Sequence, residues 1–565
     1  MNGIILVYSE VFSGAIPKVE ELVSKIPSKM LLEILSNWSG DLHIDSVNPK
    51  VQREILRLLL RRQPELIKFH MFRKMYVSGQ TIKAALVDVY TVLEMINIIL
   101  SNPNKLEAKD TTPEDELSIL KAFLVINENM YNRGIDSELA RRDKFEFFKK
   151  HTWPLYVAST ELRLRNNVIN DVYRGLMFSS YLETNKVAKE LFQELFKPKE
   201  PHIHILPVSV FQLYQEAGYR KDKNTMFGWF KTNLEEDVPF IKPWILDFSS
   251  YDPAAYIMQD FRTLRSFPII KVREESYCVV NWNFILNKLY TGLIFDLYEK
   301  TGISEPKSAF YKPKLAKFTT FKGDIGGTFS EEFCGELLKN ALPTHVFKSG
   351  KPDTRQNQDF YIRKGRQIAL IEHKDALFKK DDDYDRILET LEKKLVRDQG
   401  VSQLIKLIQK LQEDITVFEP SIDEEVNCER LVLHPILLVT DTTFAMPGME
   451  DYVNTRFKEE LKKLGSLRFY VHRLVILDVD VLMKMHDPLV LNKRSFFKIL
   501  NRYYLSKLKM RKRARKKYAT VNEIMAQHKG TTELIGNFLK QIHPKKRIPG
   551  TLKDNMIKEL RRHGF

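Results

Sequence analysis

The chain has 565 residues, 43% of them apolar and 11% aromatic, and carries a formal net charge of +16 at pH 7. This length is more than one hydrophobic core can organise, and the composition excludes a disordered or low-complexity class. No run approaches the roughly 18 uninterrupted apolar residues of a membrane span, and Cys278, Cys334 and Cys428 form neither a CxxC pair nor a metal spacing. The opening MNGIILVYSEVFSG has no basic leader and no small-residue cleavage pattern. The expectation is a cytoplasmic protein with reduced thiols, no signal peptide and no membrane partner.

In chain order, residues 1–240 read as a mostly helical region. VQREILRLLLRRQPELIKF and IKAALVDVYTVLEMINIIL place apolar residues at helical intervals, and SNPN and TTPEDE interrupt the pattern. Residues 241–326 read as a mixed α+β segment with a linker. SFPIIKVREESYCVVNW predicts a hairpin, FILNKLYTGLIFDLYEK an amphipathic helix, and SEPKSAFYKPKLAKFTTFKGDIGG a boundary near 305–327. Residues 327–490 read as an α/β domain with helices on a mixed sheet. Its elements are a helix (FSEEFCGELLKNAL), a hairpin (QNQDFYIRKGRQIALIEHKD), one long helix through YDRILETLEKKL and SQLIKLIQKL, the strand LHPILLVTD, the helix MEDYVNTRFKEELKKL and the strand HRLVILDVD. Residues 491–565 form a basic helical segment.

Charge is concentrated in that last segment. Lys493–Phe565 holds 21 Lys plus Arg against 4 Asp plus Glu, which leaves the preceding chain close to neutral. The candidate nucleic-acid contacts are Lys507, Lys509, Arg511, Lys512, Arg513, Arg515, Lys516 and Lys517, with Tyr503, Tyr504 and Tyr518 nearby. Such asymmetry points to a polyanionic partner, because cations displace condensed counterions from phosphates. The alternative is a solvated basic surface.

The hairpin poses the chemical question. Its second strand is apolar through Ile368, Ala369, Leu370 and Ile371, then ends in Glu372, His373 and Lys374. Two other Glu-x-Lys triplets, at Glu392 and Glu460, lie in helical patterns and read as solvent-facing charges. A Lys364-Gly365 turn sets Asp359 opposite Leu370. Leu370, Glu372 and Lys374 then share Asp359's face, with Asp359 diagonal to Glu372, and Phe360, Ile362, Ala369 and Ile371 line the other. Two carboxylates suit Mg²⁺, or Mn²⁺, and a neighbouring lysine suits work on an attacking water.

Asp359, the hairpin and Glu372-His373-Lys374 resemble the PD-(D/E)xK nuclease superfamily over residues 327 to about 485. The resemblance implies a restriction-endonuclease-like α/β fold. Asp359 and Glu372 would then be metal ligands, the His373 backbone carbonyl would assist them, and Lys374 would serve the water. FSEEFCGELL is similar to the family's first helix, whose glutamate completes the site; Glu331 holds that place, with Glu332 as the alternative. GVSQLIKLI is similar to the helix after the catalytic strand, with Gln403 as a supporting polar residue. Gln358 stands where many members carry proline. The implied activity is a metal-dependent endonuclease acting on DNA.

RNA remains open as substrate, because phosphate contacts do not read the sugar. A non-enzymatic nucleic-acid-binding protein on the same scaffold is the competing class, and a structural hairpin with a surface ion pair is the plainest one. A homodimer, or a protein partner held by the helical N-terminal region, is compatible with all of these.

The remaining motifs read as structural. Asp381-Asp382-Asp383 precedes a helix and lacks the glycine of a calcium loop. Asp441 and Asp478, each after an apolar strand, read as helix caps. Ser349-Gly350-Lys351 lacks the upstream glycine of a phosphate loop.

Overall fold

The computed structural model describes the chain apart from residues 1–3, 44–47, 79–80, 83, 108–109, 132–145, 147–152, 154–156, 158–167, 198–201, 219–226, 259, 351–358, 378–383, 423–429, 492–494, 516–526, 543–549 and 564–565. It is a mixed α/β protein whose chain divides into two compact units, where the sequence reading draws four segments. One unit is Met1–Ile135 with Glu161–Pro313, and the other is Asp136–Thr160 with Lys314–Phe565. No described helix is long and apolar enough to cross a membrane.

The first unit is mainly helical. VQREILRLLLRRQPELIKF is two helices, Pro49–Leu60 and Glu65–Met75, because Pro64 cannot continue the first and instead caps the second. The 269–279 hairpin forms as read, within a four-stranded sheet with Trp229–Phe230 and Ile245–Asp247. FILNKLYTGLIFDLYEK also breaks in two, Trp282–Asn287 and Thr291–Glu299. The Lys288 ammonium lies buried against Asp296 at 2.7 Å, between the two helices.

The second unit opens with α1 (Thr328–Ala341), which continues a helix begun at Phe318 through a π-helical turn at Gly323–Gly327. Then come β1 (Val346–Ser349), β2 (Phe360–Lys364), β3 (Gln367–Lys374), α2 (Tyr384–Leu391), α3 (Val401–Glu413), β4 (Val432–Val439), α4 (Met449–Lys462), β5 (Tyr470–Val471), β6 (Val475–Asp478), α5 (Val479–Val490), α6 (Phe496–Ala514), α7 (Thr531–Ile542) and α8 (Gly550–Arg562). The expected single helix after the hairpin is broken at Gly400. Its φ is +59°, and a Cβ there would collide with the Leu395 carbonyl oxygen, so no side chain fits.

The sheet order is β1-β2-β3-β4, with β5 and β6 both pairing along the far edge of β4. β1 to β3 are antiparallel and β3 runs parallel to β4, with Glu372 level with Leu437 and Lys374 with Val439. Tyr361, Ile368, Leu370, Leu433 and Leu437 pack in one core with residues of α3 and α4. On the opposite face α1 comes so close that a Cβ at Gly335 would sit 3.0 Å from the Phe360 ring. Strands covered on both faces explain why β3 and β4 read as apolar runs.

The basic segment is part of this unit's interior. Phe496, Phe497, Leu500, Tyr503 and Tyr504 of α6 are buried; Tyr504 stacks on His472 and Tyr503 donates a hydrogen bond to Glu450. Lys507, expected at a phosphate, is 1% exposed. Its ammonium donates to the Gln527 and Lys529 carbonyls at 3.0 and 2.9 Å and pairs with Asp451 at 3.4 Å. Arg511 is likewise turned to Asp451, at 3.0 Å. The helical period that exposes Lys512 carries Lys507 inward, beside an acid that requires cations. Tyr503 and Tyr504 are therefore core residues, while Lys516, Lys517 and Tyr518 lie outside the described residues.

Asp451 also accepts from His528 at 2.8 Å and pairs with Arg473 at 2.7 Å. Burial alone would raise its pKa; the hydrogen bond from His528 and the charges of Lys507 and Arg473 instead hold it well below the usual carboxylate range. A depressed carboxylate contributes stability that is complete above its unfolded pKa, about 4, and is lost as pH falls below that value. Asp451→Asn is expected to cost about 3–5 kcal/mol at pH 7, with the deficit shrinking between pH 4 and pH 2. Denaturant melts at both ends of that range check this; a deficit independent of pH would mean that shape, not charge, holds the network.

Candidate active site

The hairpin supplies the site, two residues out of the register expected. Lys364 pairs with Gln367 and Phe360 with Ile371, so the turn is Gly365-Arg366 with Gly365 at φ +57°. Glycine at the first central position is the preference of a two-residue turn with positive φ there, and the twist of the strands favours it. A shift of two preserves the faces. It also brings Asp359 level with Glu372, one step beyond the ladder, instead of diagonal to it.

Glu372 and Lys374 stand at the carboxyl end of β3, where it runs beside the carboxyl end of β4. Lys374 Nζ lies 3.2 Å from Glu372 Oε2 and 3.9 Å from Asp359 Oδ2. The His373 backbone N–H donates to Asp359 Oδ2 at 2.6 Å. The His373 imidazole points to the other face and lies 3.0 Å from the Ser330 hydroxyl on α1.

The electrostatics are those of crowded acids. Glu372 is 0% exposed, and its Oε1 has no hydrogen-bond partner among the described residues. Burial, and then the adjacent Asp359 charge, push the Glu372 carboxyl up to about 8. Asp359 is raised by burial, against the pull of Lys374 and the His373 amide. Glu331 is raised by burial and then by the Asp359 charge, with Lys374 acting the other way, which ties it to the same site. Glu332 is raised by burial and by Glu336, and feels none of the hairpin residues. Glu331 is therefore the helix glutamate that faces the hairpin.

These residues fit a divalent cation. Asp359 and Glu372 bring hard carboxylate oxygens, one of them buried and without a hydrogen-bond partner among the described residues, of the kind a divalent cation takes, whereas Asp359, Glu372 and Glu331 do not place three ligand atoms within 4.8 Å of one another. Gln403 is not joined to this group. Its side chain accepts from the Gly400 N–H at 3.0 Å and so caps the start of α3. Asp441 caps the short helical turn Thr442–Ala445 and Asp478 caps α5, accepting from the Thr443 and Val481 N–H groups, each at 2.8 Å.

Sequence reasoning missed the bridge beside the site. Lys322 pairs with Asp375 at 2.5 Å and also donates to its backbone carbonyl, while Thr440 at the end of β4 donates to the same carboxylate. Asp375 is held low by Lys322 and Thr440, although burial opposes this. The bridge ties the helix carrying Glu331 to the ends of β3 and β4. Only the adjacency of Asp375 to Lys374 marks it in the sequence. No protein-family model, curated protein or solved structure matches the chain.

A buried ion pair is a poor source of stability. Removing one partner usually costs about 3–5 kcal/mol because it strands the other charge, but here Lys374 keeps Asp359 at 3.9 Å and burial already pushes Glu372 towards its neutral form. Glu372→Gln, which keeps the shape and removes the penalised charge, is expected to leave the melting temperature unchanged or raise it. A loss of more than about 2 kcal/mol in denaturant unfolding would instead identify Glu372 as a structural ion-pair partner.

Proposed function

We propose that the second unit is a metal-dependent nuclease of the PD-(D/E)xK type, hydrolysing phosphodiester bonds, with DNA as the favoured substrate. One observation carries the reading: Asp359, Glu372 and Lys374 converge at the carboxyl ends of parallel strands, in a charged cluster that costs stability. The mixed sheet with helices on both faces is compatible with a restriction-endonuclease-like fold.

Asp359 and Glu372 would hold Mg²⁺ or Mn²⁺, with Glu331 the neighbouring acid of the helix. When bound, such an ion neutralises phosphate charge and makes a water a nucleophile at neutral pH. The His373 amide orients the Asp359 carboxylate, and the Lys322–Asp375–Thr440 bridge fixes the strand end that presents Lys374. The Lys374 ammonium, between two carboxylates, orients the attacking water and stabilises negative charge developing on the phosphate. Lys509, Lys512 and Arg513 of α6, with Arg515 just past its end, are exposed cations available to the backbone.

Incubation with supercoiled plasmid, single-stranded DNA and structured RNA, in Mg²⁺, in Mn²⁺ and in EDTA, tests this. Metal-dependent cutting is expected that Glu372→Ala and Lys374→Ala each reduce at least 100-fold, a loss of about 2.7 kcal/mol of transition-state stabilisation. Cutting that persists in both variants, or no cutting of any substrate, rejects the assignment. Charge reversal at Lys509, Lys512 and Arg513 is expected to weaken nucleic-acid binding and flatten its salt dependence by roughly one log–log unit for each phosphate no longer neutralised. An unchanged salt slope would remove α6 from the interface.

A further inference from the structure

We propose a second nucleic-acid site in the first unit: the pair of helices at residues 49–75, which binds duplex DNA through its second helix. The inference concerns binding alone and does not depend on cleavage in the other unit.

The arrangement comes from the break at Pro64. Helix Pro49–Leu60 buries Val51, Ile55, Leu56, Leu59 and Leu60 in the first unit's core. A four-residue turn, 61–64, leads into helix Glu65–Met75, which passes directly into the antiparallel pair Tyr76–Ser78 and Thr81–Ile82. The turn lets the first helix anchor in the core while the second lies along the surface with one face presented.

The second helix shows which face is presented. Met71 and Met75 are fully buried, and Ile67 and Phe72 pack against the same core. The opposite stripe, Leu66, Phe69, His70 and Arg73, lies in solvent, with Leu66 79% and Phe69 66% exposed. Large apolar side chains this exposed on a helix otherwise docked in a core indicate a surface with a partner.

Charge selects the partner. Residues 49–75 carry eight Lys or Arg against two Glu, within a chain that is near neutral before Lys493. Arg61 and Arg62 are pinned on Glu116, and Lys68 pairs with Glu65. Arg57 and Arg73 are exposed on the two helices. Cations flanking a protruding helix match paired phosphate backbones, and apolar tips such as Phe69 match thymine methyl groups on the groove floor. A duplex of RNA does not fit, because its major groove is too narrow to admit side chains.

The test uses the full chain carrying Glu372→Ala, so that cutting does not deplete the probe and binding is read apart from catalysis. Anisotropy titrations with a duplex of about 30 base pairs of DNA (roughly three turns of groove), the same single strand, and the equivalent RNA duplex are compared across salt. Arg57→Glu with Arg73→Glu is expected to weaken duplex DNA binding at least tenfold and lower the log–log salt slope by roughly two. Lys186→Glu, an exposed reversal elsewhere in the same unit, is expected to leave both unchanged. Equal binding by the double variant and the parent overturns the proposal. So does a loss as large for single-stranded DNA or RNA duplex as for duplex DNA, which would make the surface a nonspecific cation patch. Matching melting temperatures for all variants separate these outcomes from misfolding.

Discussion

Glu372 at the end of β3 is the constraint around which the second unit is arranged. A strand covered on both faces has no water to solvate a carboxylate, so each neighbour of Glu372 answers to its charge. Lys374 approaches from two residues on, because strand alternation puts it on the same side. Asp359 approaches from β2, because the turn at Gly365 sets the register. Among the described residues one Glu372 oxygen is left without a hydrogen-bond partner, and burial pushes this carboxyl towards its neutral form. A protein selected only for stability would place apolar residues there.

The surroundings hold this cluster in place by different means. Arg363, Tyr361 and Glu419 form a buried hydrogen-bonded group on the same face of β2 as Asp359, with Tyr361 donating to Glu419 at 2.9 Å. The Lys322–Asp375–Thr440 bridge joins three segments just past Lys374. The π-helical turn at Gly323–Gly327 lies between Lys322 and Glu331, so one continuous helix supplies both a tether and an acid facing the cluster. In each case a charge away from the Glu372 cluster is satisfied by hydrogen bonds, whereas the charges within the cluster are only partly satisfied.

The basic surface of the chain is divided in the same way. Part of α6's positive charge is turned inside the protein onto Asp451, and the exposed remainder is what a phosphate backbone could meet. The first unit carries its own concentration of cations, on two helices separated by a proline-bounded turn. Net charge along the sequence could not distinguish these uses, because a lysine contributes its positive charge whether its ammonium faces a carbonyl or solvent.

The sequence by itself determined the types and order of the long elements in the second unit, since buried strands and amphipathic helices have distinct apolar periods, but not the short strands β1 and β5 or the break at Gly400. It also determined that Asp359, Glu372 and Lys374 share a face, since a register error of two leaves alternation intact. Tertiary structure alone decided which glutamate of α1 faces the hairpin, because Glu331 and Glu332 differ by a rotation of the helix that no local signal sets. It alone turned Gln403 into a cap and Lys507 into a core residue, because each role depends on a partner distant in the chain or on the exact start of a helix. It alone joined Lys322 to Asp375 across 53 positions. Local patterns are written by the residues next to one another, whereas the partner of a buried charge is known only once the chain has folded back on itself.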